Sequence, residues 1–473
     1  MSFKVSQSPI AARLLRGAGA QGFCQVVQVL IRLAEVPLFL HFWGPHLYGE
    51  WLMLFAIPSY LAVGDGGFCT AACHDMTMRG QTGDRQSVLA VFQSTWLLLV
   101  IISVAVGACA FTFVNTAPLA RWLGFSIIDQ WQLRIILLFL TAYVLIGFQY
   151  GLLQGGFWIS GRYPLSIFLK ALTQLLEFAG LASSIALGCG PVGAAEGFFG
   201  GRLLGLFICW ACQRRVSPWL RHGISHVSFS EVRRLFAPAM ASLAFPLGNA
   251  LNVQGIRLVV GLALGPSAVA AFATMRTLAR LAVQPGNVIN RLIEPELSLA
   301  FGLKDEVLFR KLFVKSCQGA LWGCMAASLV MVPAAYWVYP IWTGGRIQIA
   351  WPTFLILLAV TLVNGLWYTS LMAPYATNSH GRVAVYYSSI YGVAVLAVAY
   401  VAAAWIGLSG PALALLAAEC AMGVVVIHAS LNMSGLGLSD FTLALASAPF
   451  GALARTGRLL KFRFGAARQN SSR

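Results

Sequence analysis

Charge is what this chain has least of. Only 10% of its 473 residues are Asp, Glu, Lys or Arg, and acids are the scarcer sign, 15 against 32 basic residues. Such a dearth excludes an ordinary soluble domain, in which about a quarter of residues are charged. Short stretches of alternating polarity are missing too, which rules out a transmembrane β-barrel. There is no Gly-rich phosphate loop, so any energy source is an ion gradient or the metabolic pull on a substrate. The longest outer loop, at 115–131, is short and mostly apolar, unlike the periplasmic segments of membrane-bound polymerases and ligases. Ten cysteines are present but scattered through apolar runs; the tight pairs Cys69/Cys73 and Cys209/Cys212 have no second pair at metal-ligand spacing. They are expected to be buried apolar residues, and no metal or cofactor is expected.

What is abundant is apolar sequence: 59% of residues, with a mean hydropathy of +0.77. Runs of about 20 apolar residues cross the hydrocarbon core of a bilayer as helices, because only a helix satisfies its own backbone there. The pattern predicts an all-α integral membrane protein with twelve transmembrane helices, near 17–42, 48–73, 88–114, 132–155, 165–187, 192–212, 235–263, 267–293, 312–339, 351–377, 384–406 and 411–432. Lys4, Arg13 and Arg16 precede an apolar run reaching Phe42, too long for a signal-peptide core, so the first span is expected to stay uncleaved. With both termini cytoplasmic, the inside loops hold most of the basic residues and the outside loops keep only Arg121, Arg134 and Arg346. The net charge of +17 then marks the face that meets anionic lipid headgroups, not a nucleic-acid surface. Segments 217–236 and 453–464 read as amphipathic pieces lying on that face, with Ser228 and Glu231 as a capping box for the next helix.

The chain repeats itself. Gly44-Pro45 matches Gly265-Pro266 at an offset of 221, which also places Asp75 on Glu296 and Asp84 on Asp305. An offset of 220 places Gly161-Arg162 on Gly381-Arg382 and Gly190-Pro191 on Gly410-Pro411. Two six-helix repeats of the same orientation predict pseudo-symmetric bundles around a central cavity: an N-lobe at 1–213, a linker at 214–234, a C-lobe at 235–433 and a basic tail at 434–473.

Polar residues inside the spans mark the candidate site. Arg276, Arg280, Gln284, Asn287 and Arg291 fall at roughly 0°, 40°, 80°, 20° and 60° around a regular helix, with Pro285-Gly286 interrupting it. On the first helix Gln21, Gln25, Gln28, Arg32 and Glu35 share an arc of about 80°. Asn249, Asn252 and Arg257 add a looser set on the seventh. A charge at mid-bilayer costs about 3 kcal/mol even on a forgiving scale, so these faces need water or partners. Two readings stand together: static pairing of arginines with Glu35, Asp65, Glu177 and Glu419, or a cationic cavity for an anionic substrate, two guanidiniums one turn apart matching a diphosphate. The four acids are equally candidates for H+ or Na+ coupling, or for local structural pairing. Trp367, Tyr368 and Tyr375 either stack on sugars or pack. His74-Asp75 has the look of an acyltransferase dyad, but neighbours on a helix project about 100° apart.

Two windows carry a family resemblance. "GPHLYGEWLMLFAIPSYLAVGDGGFCTAACHDMTMRGQTGD" (44–84) and "LGPSAVAAFATMRTLARLAVQPGNVINRLIEPELSLAFG" (264–302) resemble the second- and eighth-helix regions of Wzx-type lipid-linked oligosaccharide (O-antigen and polysaccharide) flippases. The resemblance implies the fold of the multidrug/oligosaccharidyl-lipid/polysaccharide exporter superfamily in a bacterial inner membrane. It also implies transport of undecaprenyl-diphosphate-linked glycan for surface polysaccharide or lipopolysaccharide, without enzymatic activity, beside polysaccharide assembly machinery. Arg276, Arg280 and Arg32 would then face the substrate. Peptidoglycan-precursor flippases of that superfamily usually carry two more carboxy-terminal helices where this sequence has a basic tail, which disfavours their substrate. A drug/cation antiporter would want acids where this chain has arginines.

Overall fold

The computed structural model describes residues 10–447 apart from Gly66, Thr82, 378–380 and 391–394. The basic stretch 453–464 and Lys4 lie outside the described residues. The helices are α1 (Ile10–Leu61), α2 (Phe68–Gln81), α3 (Arg85–Thr116), α4 (Leu119–Leu123), α5 (Gln130–Ile159), α6 (Tyr163–Ala186), α7 (Gly190–Val216), α8 (Phe229–Ala250) and α9 (Ile256–Leu264). They continue as α10 (Pro266–Ala279), α11 (Gln284–Gly302), α12 (Glu306–Trp342), α13 (Trp351–Ser370), α14 (Met372–Ala376), α15 (Gly381–Ser389), α16 (Val395–Ile406), α17 (Ser409–Ser434) and α18 (Leu438–Ala446). Tight 3-10 turns at Ala62–Asp65 and Arg280–Val283 and a π-helical turn at Leu251–Gly255 join neighbours.

Among the described residues nine helical runs are long and apolar enough to cross a bilayer, and the longest, Gly19–Gly80, holds two of the expected spans. The other expected spans without a run of their own are the eighth, broken between α10 and α11, and the eleventh, where α16 is a shorter apolar helix. Each expected span is thus represented by helix among its described residues.

The offset seen in the sequence recurs in backbone geometry. Gly44 (φ 74°, ψ 176°) breaks α1, and Gly265 (φ 87°, ψ 169°) separates α9 from α10 in the same conformation, which favours glycine. Asp84 Oδ1 caps α3 by accepting from Ser87 N at 3.0 Å, and Asp305 Oδ1 caps α12 by accepting from Leu308 N at 2.9 Å. His46 and Ser267, themselves 221 residues apart, meet at 3.3 Å between ring nitrogen and hydroxyl.

The described residues form two compact units. The first takes Met1–Thr274, Tyr339–Ile349 and Tyr387–Pro411; the second takes Met275–Val338, Ala350–Tyr386 and Ala412–Arg473. In the first, α6 and α7 approach until backbone touches backbone. A Cβ at Gly197 would overlap the Gly180 carbonyl, one at Gly201 the Leu176 carbonyl, and one at Gly205 the Thr173 side chain. Small residues serve this purpose where lipid offers no hydrophobic driving force between helices. In the second unit, Ser430 Oγ donates to Ser370 O at 2.9 Å, tying α17 to the end of α13, and Phe441 of α18 stacks on Phe313 at 5.6 Å.

The segment after α7 is not a loose surface piece. The Gln93 amide of α3 donates to Arg221 O at 3.1 Å and accepts from His226 N at 2.8 Å, while Ser94 Oγ accepts from Ser228 N at 2.8 Å. Leu220 is fully buried. The expected capping box does not form, although α8 does begin after Ser228. Ser228 Oγ pairs with Ser230 and the Glu231 carboxylate turns to Arg79 and Arg234, because guanidiniums outcompete a backbone N–H for it.

Two outcomes follow from these contacts. Gly197→Val should lower the thermal midpoint of the purified chain by several degrees, since a backbone overlap costs about 1–3 kcal/mol or more, whereas Gly200→Ala, which meets open space, should not. His222 packs edge-on to Phe92 and Trp96 at 5.1 and 5.5 Å; its burial, and then Arg214, lower its pKa from 6.5. As pH falls through that value the unfolded chain takes up a proton that the folded one resists, so stability drops. His222→Phe should flatten that part of the pH dependence of unfolding.

Candidate functional site

The polar face of α1 divides among partners. Gln21 Nε2 donates to the Tyr163 hydroxyl at 2.9 Å, and Gln28 Nε2 donates to Gln174 Oε1 at 3.3 Å, both on α6. Gln174, alone in an apolar run three residues before Glu177, escaped the sequence reading because its polarity matters only once α1 lies against it. Gln25 is half-buried and Arg32 exposed at the protein surface. Glu35 is half-buried, and Arg257 of α9, followed by Arg32, supplies the cationic charge that acts on it. Buried Tyr48 lies within reach of both Glu35 and Arg257. Arg257 also donates to Gln254 Oε1 at 3.0 Å, and its neighbour Asn252 is buried within the π-helical turn. Two cations therefore converge on one acid.

The eighth span departs from the regular period assumed above. Four residues, Arg280–Val283, wind as a 3-10 turn just before Pro285. Three residues per turn advances each by about 120°, so Gln284, Asn287 and Arg291 are rotated by about 80° relative to a continuous α-helix. The single narrow stripe becomes two sets: Arg276 with Arg280, then Gln284, Asn287 and Arg291. Arg276 is half-buried, Arg280 and Arg291 are exposed, and Asn287 Nδ2 donates to Gln284 Oε1 at 3.5 Å. Asn290, unnoticed in the sequence, is buried with its Oδ1 lacking a hydrogen-bond partner among the described residues.

The acids differ sharply in company. Glu177 is buried, paired with Arg202 Nε at 2.9 Å, and accepts from the Tyr143 hydroxyl at 3.0 Å. Arg202 also lies over the Tyr143 ring, 4.1 Å from its centre. Asp65 ends a 3-10 turn and accepts from Gly67 N at 3.0 Å, an Asx turn just before α2. Glu419, 2% exposed, accepts from Asn364 Nδ2 at 3.0 Å and Trp367 Nε1 at 2.6 Å, with no ion pair among the described residues. Trp367 is thereby committed to packing and to Glu419. Glu50, overlooked as an acid at the edge of a span, is fully buried and accepts from the backbone of Ser126, Ile127 and Ile128 at 2.7–3.1 Å.

A charge network escaped the sequence reading altogether. Asp75 and Arg79 of α2 interlock with Glu231 and Arg234 of α8: Arg79 reaches Asp75 at 3.0 Å and Glu231 at 2.8 Å, and Arg234 bridges both acids. The hydrogen bond to Asp75, ahead of the other causes, raises the Arg234 pKa. His74 points elsewhere, edge-on to Trp158 at 5.5 Å, so His74 and Asp75 form no dyad.

Known structures share this architecture. A multidrug resistance MATE family transporter of the MOP superfamily, inward-facing, aligns with a TM-score of 0.69 at 15% identity over 86% of this chain and 98% of its own. Lipid II flippase MurJ, in an inward closed conformation, aligns at 0.68 with 13% identity over 91% of this chain and 89% of its own. An outward-facing MATE family transporter of the same superfamily aligns at 0.63 with 14% identity, covering 92% and 96%. This chain has the MOP transporter fold. No protein-family profile matches the sequence, and no curated protein does. The MOP fold makes the chain an all-α, multi-pass membrane protein; at such low identity, substrate chemistry has to come from its own residues.

Glu177→Gln should leave the half-buried Arg202 without its counter-charge and destabilise the first unit by up to about 3 kcal/mol. Unfolding of the purified variant measures this, and the double change Glu177→Gln with Arg202→Met should recover much of the loss.

Proposed function

We propose that this protein flips undecaprenyl-diphosphate-linked oligosaccharide from the cytoplasmic to the periplasmic leaflet of a bacterial inner membrane, supplying surface polysaccharide synthesis by alternating access. The carrying observation is the set of guanidiniums inside expected spans: Arg32 and Arg257 both act on Glu35, and Arg276 and Arg280 follow one another at a 3-10 break. A diphosphate presents two adjacent anionic groups, and arginine binds each in a bidentate fork without losing its charge. In this reading Arg276, Arg280 and Arg291 of the second unit are the diphosphate ligands, with Gln284 and Asn287 beside them for the first sugars; Arg32, Arg257, Gln25 and Gln28 of the first unit are candidate substrate contacts in their own right. The 214–234 linker joins an N-lobe (1–213) to a C-lobe (235–433). That one fold occurs in both inward- and outward-facing transporters supports alternating access.

Ion coupling, by H+ or Na+, is assigned to Glu419 before Glu35, Asp65 and Glu177. Glu419 is held by two neutral donors, with no ion pair among the described residues. Glu177 is committed to Arg202, and Asp65 to a backbone turn. The alternative, a multidrug/cation antiporter of the same fold, has support in the MATE likeness. It lacks support in charge, since the eighth expected span, 267–293, holds Arg276, Arg280 and Arg291 and no acid.

Arg276→Ala together with Arg280→Ala should abolish surface polysaccharide while the protein stays inserted and abundant, with lipid-linked sugar accumulating in the inner leaflet. Normal polysaccharide display would overturn the diphosphate assignment. Uptake of a cationic dye against a proton gradient by the reconstituted wild-type protein would favour the antiporter instead.

A further inference from the structure

A groove of about 680 Å³ runs along the outside of the first unit between α3, α5 and α7 and ends at His222 in the linker. Its walls are mostly apolar, with Trp96, Leu206 and Phe207 among them. Two wall residues break that pattern. Ser103 Oγ is buried with no hydrogen-bond partner among the described residues, although helical serines and threonines usually donate to the carbonyl one turn back, as Thr112 does. Gln149 also lines the groove.

The two lie at one level. Arg134 Nη2 donates to Asn115 O at 2.9 Å, and the Leu145 side chain meets the Gly107 position, so α3 and α5 run antiparallel in a register that sets residue 103 beside 149. In α7, Trp210 forms part of the groove wall and the Arg214 guanidinium lies 5.5 Å from its ring centre. Gly156 packs on Gln213, and Ser160 Oγ meets Ser217 Oγ at 2.7 Å, so α5 and α7 run parallel with Gln149 level with residues near 206. By helix rise Arg214 sits about 12 Å from the Ser103–Gln149 level, and laying its side chain back over Trp210 shortens the gap to about 6 Å. Arg214 and Arg215 are exposed at this end.

We infer that the groove is a binding site for an anionic glycerophospholipid. An acyl chain fills the apolar slot, an ester carbonyl accepts from Ser103 and Gln149, and the phosphate meets Arg214. The polar shelf selects the occupant. A polyprenyl chain has no polar atom along its length to answer Ser103 and Gln149, whereas a glycerophospholipid carries esters below its phosphate. The basic rim selects for net negative charge over a zwitterion. Because the linker closes the groove through His222, the lipid rests against the segment that joins the two repeats. The inference does not depend on the flippase reading, since it uses none of the arginines assigned there.

The test is native mass spectrometry of the full chain, released from micelles containing equal phosphatidylglycerol and phosphatidylcholine. Retention of phosphatidylglycerol at least fivefold over phosphatidylcholine is expected. Arg214→Ala should remove that preference, Ser103→Ala with Gln149→Leu should reduce retention of both lipids severalfold, and Leu206→Trp should abolish it by filling the slot. Arg214 is exposed, so its variant keeps the test decisive should Leu206→Trp misfold. Equal retention of the two lipids by the wild-type chain would overturn the inference. So would displacement of phosphatidylglycerol by undecaprenyl phosphate that is undiminished in the Ser103/Gln149 variant.

Discussion

A guanidinium keeps its charge at any depth in a bilayer, and the rest of this structure is arranged around that constraint. Lysine or a carboxylate can escape burial by changing protonation, but arginine has to be answered by an acid, by water or by a ligand. The chain answers its arginines unequally. Arg202 has Glu177 and the face of Tyr143, whereas Arg32 and Arg257 share one acid.

Two of the three 3-10 or π-helical turns among the described residues sit beside those charges. The π-helical turn at Leu251–Gly255 precedes Arg257, and the 3-10 turn at Arg280–Val283 begins on an arginine and runs into Pro285. Such turns leave carbonyl and amide groups less completely paired than an α-helix does, and membranes tolerate that only beside protein or water. The regular helices elsewhere, packed through Gly180, Gly197, Gly201 and Gly205, supply the rigid frame against which such departures are possible.

One residue type, three environments, three roles: buried Glu50 anchors a loop through three backbone amides, Glu177 neutralises an arginine, and Glu419 rests on an amide and an indole. All three are glutamates in or beside apolar spans, and periodicity treats them alike. Their roles diverge because neighbours distant in sequence supply the donors.

The helical stretches and the landmarks of the repeat were legible in the sequence, since hydropathy and turn glycines are local properties that survive without knowledge of neighbours. The matching conformations of Gly44 and Gly265 and the matching caps at Asp84 and Asp305 follow from residue types that allow little else. What the helices do to one another was not legible. Gln28 meeting Gln174, the Asp75–Arg79–Glu231–Arg234 interlock, the docking of the linker on Gln93 and the rotation of Gln284, Asn287 and Arg291 by a 3-10 turn depend on which surfaces come together. A hydrogen bond or ion pair forms over about 3 Å between groups more than a hundred residues apart, and only the tertiary structure decides which partners reach that distance.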